Sequence, residues 1–571
     1  MGDNSKIKLL SSAKCSAGTA NNPKTAPNQT PCDPSLYYYV GMRQRLLSAL
    51  SLAVLLLAPA GAAAGELVIP LDGEAPDGGP DHFFVPFQVP EGIVEIEVRH
   101  DDLSDANILD WGLYDTAGFR GWGGGNEEPA VVGIEAASRS YLPGLITPGE
   151  WKVVVGKAKI EVSPASYHLE IVLRDVATLP PEPERAPYAP SPPLEVGARW
   201  YAGDFHVHSR DSGDARPPLD EIAEFARAKG LDFVEISDHN TVSQLDFFAD
   251  AQSRHPDLLF VPGVEYTTYD GHANGVGATG WVDHKIGLPG VTIESAAKAF
   301  ADQGAILSIN HPKLDLGNAC IGCAWAHDLA PERVGAVEIA TGGLKQTFGG
   351  LFTWPAIAFW DELCGRGLHI AAIGGSDDHR AGVDLGTFQS PIGDPTTMVL
   401  AEELSVSGLL QGIRNGRTVV KLQGADDPMI ELSSSRTAAG DTVSAESTTF
   451  RAVVTGGLGD ELRFVHNGVP LEGVTIDADP FTGEVLAEAP KEGEDRWRAE
   501  VLIDGKPRTL TSHLWLRSGP GANPDPLPAE AVGGGCGCSL PRSTGAPWAA
   551  GLLALGAGVA LRAVRRRRRT L

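Results

Sequence analysis

Two short motifs place pairs of potential metal ligands beside apolar segments. In GDFHVHS, His206 and His208 are two residues apart on a predicted strand, so both imidazoles leave the same face and can converge on one ion. In IAAIGGSDDH, Asp377 and His379 repeat this spacing directly after an apolar run. Either pair could also be an ordinary buried or surface pair, so neither alone identifies a metal site.

Four further motifs add histidine or carboxylate at similar positions. Asp238 and His239 follow the run LDFVEIS, and Glu265 follows LLFVPGV, where a lone carboxylate could be buried only with compensation. His272 lies among glycines that allow close backbone approach, and His311 follows the apolar segment AILSIN and precedes a proline. Each residue has an ordinary interpretation when taken alone. Together, six strand-end motifs of this kind predict a catalytic metal centre.

The residue types indicate which chemistry such a centre would perform. Imidazole and carboxylate without thiolate suit zinc, manganese or iron with an open position for water. Neighbouring cations would lower the pKa of that water, and the resulting hydroxide could attack phosphorus or a carbonyl carbon. Asp238 or a terminal histidine is a candidate proton donor to the leaving group. Lys313 and Arg380, each beside a candidate ligand, could bind a substrate anion or be solvated surface charges.

The elements that must position these residues are predicted between about residues 198 and 420. Apolar runs alternate there with helical stretches, and PLDEIAEFARAKG places Leu219, Ile222, Ala223 and Ala226 on one stripe. This alternation predicts an α/β domain with a parallel sheet or barrel. In such folds the functional residues lie at the carboxyl ends of the strands.

Two regions of short alternating strands flank the α/β segment. Residues 66–175 predict an N-terminal β-sandwich, and residues 428–518 predict a small C-terminal β-domain. No cluster of histidine, cysteine or paired carboxylates stands out in the first region, so binding or spacing is its expected role. Residues 176–197 are rich in proline and predict a stiff extended linker.

The bulk composition limits the possible classes of protein. The chain has 571 residues and a formal net charge of −27, which argues against nucleic-acid binding because phosphate contacts require a basic surface. Apolar residues make up 42% of the chain, as expected of a globular protein despite its many glycines and prolines. Cys320 and Cys323 predict a local disulfide, with a zinc knuckle as the less favoured alternative.

The sequence before residue 65 predicts an export signal. From Met42, two arginines precede an apolar run that ends in small residues, so residues 42–64 predict a signal peptide cleaved near Ala64. A short buried helix is the alternative. Residues 1–41 would normally block such a signal, which predicts that translation begins at Met42.

The last residues, 533–571, combine a GCGC element, a polar spacer, an apolar segment and an arginine run. This ending resembles the MYXO-CTERM sorting signals of myxobacteria, with Cys536 and Cys538 in the GCGC element. The resemblance implies recognition by sorting machinery, processing or lipidation of the tail, and attachment at the cell surface or envelope. A plain C-terminal membrane anchor is the alternative.

The order H-x-H, D-H, E, H, H-P, S-D-x-H resembles the polymerase-and-histidinol-phosphatase (PHP) superfamily. The flanking β-domains and export signal are similar to those of its CehA/McbA-type metallohydrolase branch. The resemblance implies a distorted (β/α)7 barrel that holds two or three divalent ions. It implies that Glu265 bridges two of them. It places His206, His208, Glu265 and Asp377 around one ion and leaves the remaining positions to His239, His272, His311, His379 and Asp238.

One segment departs from the pattern of the superfamily. Many members follow H-x-H with a further histidine or a T-x-x-S-D-G turn, whereas this chain continues SRDSGDARPP. Asp211 or Asp214 is therefore the expected replacement ligand, and a third ion depends on that replacement.

These observations predict an exported hydrolase of phosphoesters or of carboxylic or carbamate-like esters. Few basic residues but several aromatic ones lie near the ligands in sequence, which favours a small, partly apolar ester; the aromatic residues are Phe205, Tyr266, Tyr269 and Trp325. The alternative is a non-catalytic surface protein that retains the metal site and binds a partner through its β-domains. A polymerase-linked nuclease conflicts with the signal peptide and the acidic charge.

Overall fold

The computed structural model describes residues 65–76, 78–341, 350–385, 389–435 and 437–519. The predicted leader, the signal peptide and the tail at 533–571 lie outside these residues. Within the described ranges, no helix is both long and apolar enough to cross a membrane. The compact unit treated below begins at Ala64.

The N-terminal region forms two four-stranded antiparallel sheets, in the orders β1-β8-β3-β6 and β2-β7-β4-β5. Alternate side chains of their strands face a shared core that includes Trp151, Leu113 and Ile96, all fully buried. The strands are β1 (Glu66–Glu74), β2 (His82–Val89), β3 (Glu95–Asp101), β4 (Ile108–Tyr114), β5 (Phe119–Gly124), β6 (Ala130–Gly133), β7 (Gly149–Lys159) and β8 (Ser166–Arg174). These eight strands and the loops between them are called the sandwich below.

The proline-rich segment after the sandwich lies against the following region. Arg185 forms an ion pair with Asp246 at 3.1 Å, and the ring of Tyr188 packs on Phe248. The next strand begins at Glu195, so the segment is held by packing and charge as well as by the stiffness of its prolines.

The central region contains ten strands and five α-helices within the described residues. The helices are α1 (Leu219–Ala228), α2 (Phe248–Arg254), α3 (Ile293–Asp302), α4 (Thr353–Cys364) and α5 (Val406–Arg414). The strands are β9 (Glu195–Val207), β10 (Phe233–Ile236), β11 (Leu259–Pro262), β12 (Glu265–Thr268), β13 (Gly271–Val276), β14 (Ile306–Ile309), β15 (Ala336–Ala340), β16 (Ala371–Gly374), β17 (Thr396–Leu404) and β18 (Thr418–Lys421).

The helices follow the patterns that their sequences carry. In α1, Leu219, Ile222, Ala223 and Ala226 are buried on one stripe. The start of α3 is stabilised by a capping box between Thr292 and Ser295, which satisfies backbone N–H groups that the helix itself leaves free.

The central fold is mixed α/β and rich in strands, and the strand pairings do not establish the predicted (β/α)7 barrel. The strands β9, β10 and β11 are parallel, whereas β17 runs antiparallel to β9. In a second sheet, β12, β13 and β14 are antiparallel, and β14, β15 and β16 are parallel. Isolated bridges join the two sheets at Val207 with Asp378 and at His239 with Glu265, so their strand ends meet.

The C-terminal strands continue the sheet of the central region. Strand β18 pairs with β28 through Val419 and Thr511, so residues 428–518 share hydrogen bonds with the preceding region. The bounds are β19 (Met429–Ser434), β20 (Thr437–Ala438), β21 (Thr442–Ser444), β22 (Ser447–Thr455), β23 (Glu461–His466), β24 (Val469–Pro470), β25 (Val474–Thr475), β26 (Phe481–Glu488), β27 (Asp495–Ile503), β28 (Lys506–Thr511) and β29 (Leu514–Arg517).

A substitution at Gly375, which directly follows β16, would test how closely the two sheets pack against each other. A methyl group added there would overlap Cβ of His206 and lie 2.9 Å from its backbone nitrogen. We expect Gly375→Ala to lower the free energy of unfolding by about 1–3 kcal/mol, as overpacking does, and to displace His206. Urea unfolding measures the first effect, and metal titration measures the second.

Gly280→Ala is the matched control. Its added methyl would meet only the flexible side chain of Gln303, at 3.3 Å, so a change within about 0.5 kcal/mol is expected. Equal destabilisation by the two variants would contradict a tight junction at Gly375.

Candidate metal centre

The strand ends bring eight of the nine predicted ligands into one region, and Asp238 is the exception. His206 and His208 come from the end of β9, and Glu265 begins β12 beside the turn that carries His239. His272 lies on β13, which pairs with β12. The remaining three follow strands at the same edge: His311 after β14, and Asp377 and His379 after β16.

Glu265 lies at the centre of this region and is fully buried. Each of its carboxylate oxygens faces more than one imidazole nitrogen. Oε1 lies 3.3 Å from His206 Nε2, 3.3 Å from His272 Nδ1 and 3.2 Å from His311 Nε2, and Oε2 lies 3.4 Å from His208 Nε2 and 2.8 Å from His239 Nδ1. A carboxylate in this position can contact more than one cation.

A first group of candidate ligands consists of His206, His208, Glu265 and Asp377, whose donor atoms all lie within 4.8 Å of one another. Asp377 Oδ1 is 3.3 Å from His206 Nε2 and 3.1 Å from His208 Nε2. Two imidazoles and two carboxylates of this kind match the donor preferences of divalent zinc, manganese and iron.

A second group contains His208, His239 and His379. Asp214 adds a carboxylate to it, with Oδ2 at 3.5 Å from His239 Nε2 and 3.3 Å from His379 Nε2. The carboxylate of Asp211 instead accepts a hydrogen bond from Ser243 at 2.8 Å. Of the two alternatives in the SRDSGD segment, Asp214 therefore lies at the site.

A third group contains His272 and His311, whose imidazoles both lie near Glu265 Oε1. The sulfur of Cys323 lies within the same 4.8 Å span, but Cys323 is joined to Cys320 in the predicted disulfide. A cysteine in a disulfide offers no thiolate to a metal, so the donors here are imidazole and carboxylate.

The residues present fit divalent ions. Among the candidate ligands, four buried atoms have no hydrogen-bond partner within the described residues: His206 Nε2, His208 Nε2, His272 Nε2 and Glu265 Oε2. Buried polar atoms are rarely left unsatisfied, because each costs about 1–3 kcal/mol. Coordination of a cation would satisfy these atoms.

Neighbouring polar groups orient the imidazoles. His206 Nδ1 lies 2.8 Å from Glu338 Oε2, and His208 Nδ1 lies 3.2 Å from Ser212 Oγ. Such partners fix the ring orientation and leave the opposite nitrogen available for a metal. Sequence reasoning missed Glu338, although it stands inside the apolar strand AVEIA, the same signal that identified Glu265.

Asp204 braces the backbone beneath the ligands. Its carboxylate accepts hydrogen bonds from the backbone N–H groups of His206 at 3.0 Å, Ser376 at 3.0 Å and Gly393 at 2.8 Å. Burial raises the pKa of Asp204 to about 7 despite these bonds. Asp204 therefore connects the end of β9 to the segment that carries Asp377.

The backbone at two ligands adopts an uncommon conformation. His311 has a φ of 27° and Asp377 a φ of 57°, both in the region that favours glycine. Non-glycine residues in this region are held there by their surroundings, and they concentrate at functional sites.

The remaining predicted residues lie in different surroundings. Both carboxylate oxygens of Asp238 accept hydrogen bonds from Ser209, from its N–H and its hydroxyl, each at 2.6 Å. Its role as a proton donor to a leaving group therefore stays a prediction. Arg380 lines the cavity at the site, and its guanidinium donates to the carbonyl of Asp384 at 3.0 Å. Lys313 is exposed and lies over the ring of Phe359.

The site opens into a cavity of about 880 Å³. One wall consists of the candidate ligands, and a second consists of the segment 314–323 with its disulfide. The third wall belongs to the sandwich and includes Asp110, Trp122 and Asn126. Sequence reasoning gave the sandwich a general binding or spacing role and did not identify it as part of this site.

Opposite charges dominate the electrostatics of the metal-free site. Burial opposes ionisation of Glu265, but its histidine neighbours, His206 first, hold the pKa of its carboxyl well below the usual range. Burial also opposes protonation of His379, yet Asp214 raises its pKa to about 9. For His208, burial dominates and lowers the pKa to about 3.

Comparison with known proteins gives only distant similarities. No family model matches the chain, and no curated protein matches it. A two-domain protein from Bacteroides vulgatus, described as containing a PHP-like metal-dependent phosphoesterase, is 20% identical with a TM-score of 0.33, over 58% of this chain and 99% of that one. An amidohydrolase from Chromobacterium violaceum, with bound sulfate and no metal, is 16% identical with a TM-score of 0.22, over 33% and 91%.

A protein from Bifidobacterium adolescentis described as a metal-dependent phosphoesterase is 14% identical with a TM-score of 0.23, over 37% of this chain and 95% of that one. Such low TM-scores do not identify a function. The function must therefore be inferred from the residues of the site.

The central position of Glu265 predicts a loss of bound metal on neutralisation. We expect Glu265→Gln to hold at least one ion fewer per chain than the unmodified protein, because the amide cannot offset two positive centres. Metal content by mass spectrometry after gel filtration measures this. The control is the exposed Glu332→Gln, which should keep the full content, and full content in Glu265→Gln would contradict a bridging position.

The raised pKa values predict that metal binding releases protons. The pKa of His379 is raised to about 9, and Asp214 also raises that of His239 against the effect of burial. Both imidazoles are therefore charged at pH 7 without metal and must lose a proton to ligate. We expect affinity for zinc or manganese to rise between pH 7 and 9.

Calorimetry in two buffers of different ionisation enthalpy counts the released protons directly. Asp214→Asn should reduce that number, since it removes the carboxylate that raises both pKa values. An unchanged proton count in this variant would contradict the assigned charges.

Proposed function

We propose that this protein is a metal-dependent hydrolase of the PHP superfamily, of the CehA/McbA type, that acts on phosphoesters or on carboxylic or carbamate-like esters. The observation that carries the proposal is the set of unpartnered, buried imidazole and carboxylate atoms around Glu265, at the base of an open cavity. A closed structural site would have no reason to face such a cavity.

Two or three divalent ions of zinc, manganese or iron would supply a water of lowered pKa and neutralise charge that develops on the substrate. His206, His208, Glu265 and Asp377 would hold one of them. His239 and His379, with Asp214, would hold another, and His272 and His311 would complete the set with Glu265.

The other residues position this machinery and the substrate. Glu338 and Ser212 fix the rings of His206 and His208, as described above. Arg380 is the lining cation suited to an oxyanion of the substrate, because its fork of N–H groups matches phosphate or carboxylate oxygens. The segment 314–323 and the sandwich form two walls of the cavity and would surround the substrate.

We also propose that the protein is exported by means of residues 42–64 and attached at the cell surface or envelope through its tail. The composition of both ends supports this proposal. A non-catalytic metal-binding surface protein is the second candidate. The cavity beside the ligands favours catalysis over it, since a binding role of the β-domains would need no such space.

Hydrolysis assays on variants of two basic side chains, Arg380 and Lys313, test the proposed activity. With manganese or zinc, we expect turnover of a para-nitrophenyl ester or aryl phosphodiester that chelator and His206→Ala both abolish. Arg380→Ala should raise KM for the phosphodiester about 10- to 100-fold, equivalent to roughly 1.5–3 kcal/mol for a charged hydrogen bond. Lys313→Ala should change KM by less than about twofold, because Lys313 lies over Phe359 and outside the cavity lining.

Two results would contradict these expectations. Activity that survives chelation and His206→Ala would exclude metal-dependent hydrolysis at this site. Equal losses in the two cation variants would exclude the assignment of Arg380 as the substrate contact.

A further inference from the structure

The sandwich forms one wall of the metal cavity, and that wall is built into the site. The carbonyl of Gly123 packs against Gly213 so closely that a side chain at Gly213 would overlap it. The hydroxyl of Tyr269 packs equally closely against Gly156 of β7, where an added Cβ would overlap it. Ser140 donates a hydrogen bond to the carbonyl of Asp211 at 2.6 Å. The segment that carries Asp214 therefore rests directly on the sandwich.

Asp110 on β4 is the acidic group of this wall. Tyr269 donates a hydrogen bond to its Oδ2 at 2.7 Å, which fixes the orientation of the carboxylate. No described residue donates to its other oxygen, Oδ1. That oxygen lies close to Gly125, where an added Cβ would stand only 3.1 Å away, and both residues line the cavity.

Part of the cavity lining near Asp110 in the chain is apolar. Ile108 and Trp122 of the sandwich line the same cavity, as do Leu314 and Leu316 of the disulfide segment. Burial raises the pKa of Asp110 to about 6, so the carboxylate is still ionised at pH 8. The imidazole of His239 also favours the charged form of Asp110. A carboxylate that is partly removed from water and forms no ion pair with a lysine or arginine of the described residues attracts a cationic group strongly.

We propose that this wall binds the leaving group of the substrate, with Asp110 as its polar anchor, and selects an alcohol or phenol that carries an ammonium group. This inference rests on the proposed hydrolase function and names its substrate class. The scissile bond would lie at the ligands around Glu265, and the cationic end would lie against Asp110 in the same cavity. A leaving group that carries a carboxylate or phosphate would be repelled at this wall.

Binding of leaving-group analogues to the metal-loaded full chain tests this proposal without turnover. The two probes are para-hydroxybenzylamine and para-hydroxybenzyl alcohol, which have the same size and phenol but differ in charge. At pH 8, isothermal calorimetry should show about tenfold tighter binding of the amine. Asp110→Asn should reduce this preference to about twofold or less, because the amide keeps the shape and loses the charge.

Asp105→Asn is the matched control, since it removes the same charge from an exposed position of the sandwich. It should retain the tenfold preference. Equal affinities of the two probes in the unmodified protein, undetectable binding of both, or a preference that persists in Asp110→Asn would each overturn the proposal.

A separate assay identifies a failure of the hydrolase function itself. The same protein samples are tested for chelator-sensitive hydrolysis of an uncharged para-nitrophenyl ester and of an aryl phosphodiester. Turnover of either substrate without a preference between the probes would refute only the leaving-group wall. A preference without any turnover would support a cation-binding wall and refute the hydrolase.

Discussion

The burial of Glu265 is the constraint on which the rest of the site depends. An unpaired carboxylate in a protein interior costs several kcal/mol, so it persists only with close compensation. Five imidazoles within 3.4 Å provide part of that compensation, and bound cations would provide the rest. The two sheets must end at this point for the imidazoles to reach it. The tight junction of Gly375 with His206 and the bracing by Asp204 follow from that requirement.

Much of the site could be predicted because its ligands lie where local patterns end. The two-residue spacing in GDFHVHS determines a shared face wherever a strand forms, and the structure places both imidazoles against Asp377. The choice between Asp211 and Asp214 could not be made from the sequence, because both lie on one turn. The tertiary contacts distinguish them, because Asp211 accepts a hydrogen bond from Ser243 whereas Asp214 lies near two histidines.

The fold shows the same division between local and long-range information. Period-two patterns predict strands in the regions 66–175 and 428–518, because alternation depends on neighbours in sequence. Strand β18 pairs with β28 through residues that are distant in sequence, such as Val419 and Thr511. No local pattern encodes such a pairing. The helical pattern between 198 and 420 is also less complete than a regular (β/α)7 barrel requires, since several strands are joined without helices.

These long-range contacts indicate which regions of the chain the proposed site requires. The segment with Asp214 receives hydrogen bonds from Ser140 and Arg139 of the sandwich, and Asp110 lies in the same cavity as His239. At the other end, the sheet of β9 continues into the C-terminal strands. A fragment of residues 198–420 would therefore expose the edge of β18 that pairs with β28 and the loop near Asp214 that contacts the sandwich. It would also lack the wall of the cavity that the sandwich supplies. The site as proposed therefore depends on described residues from all three regions, although the candidate ligands span only 206–379.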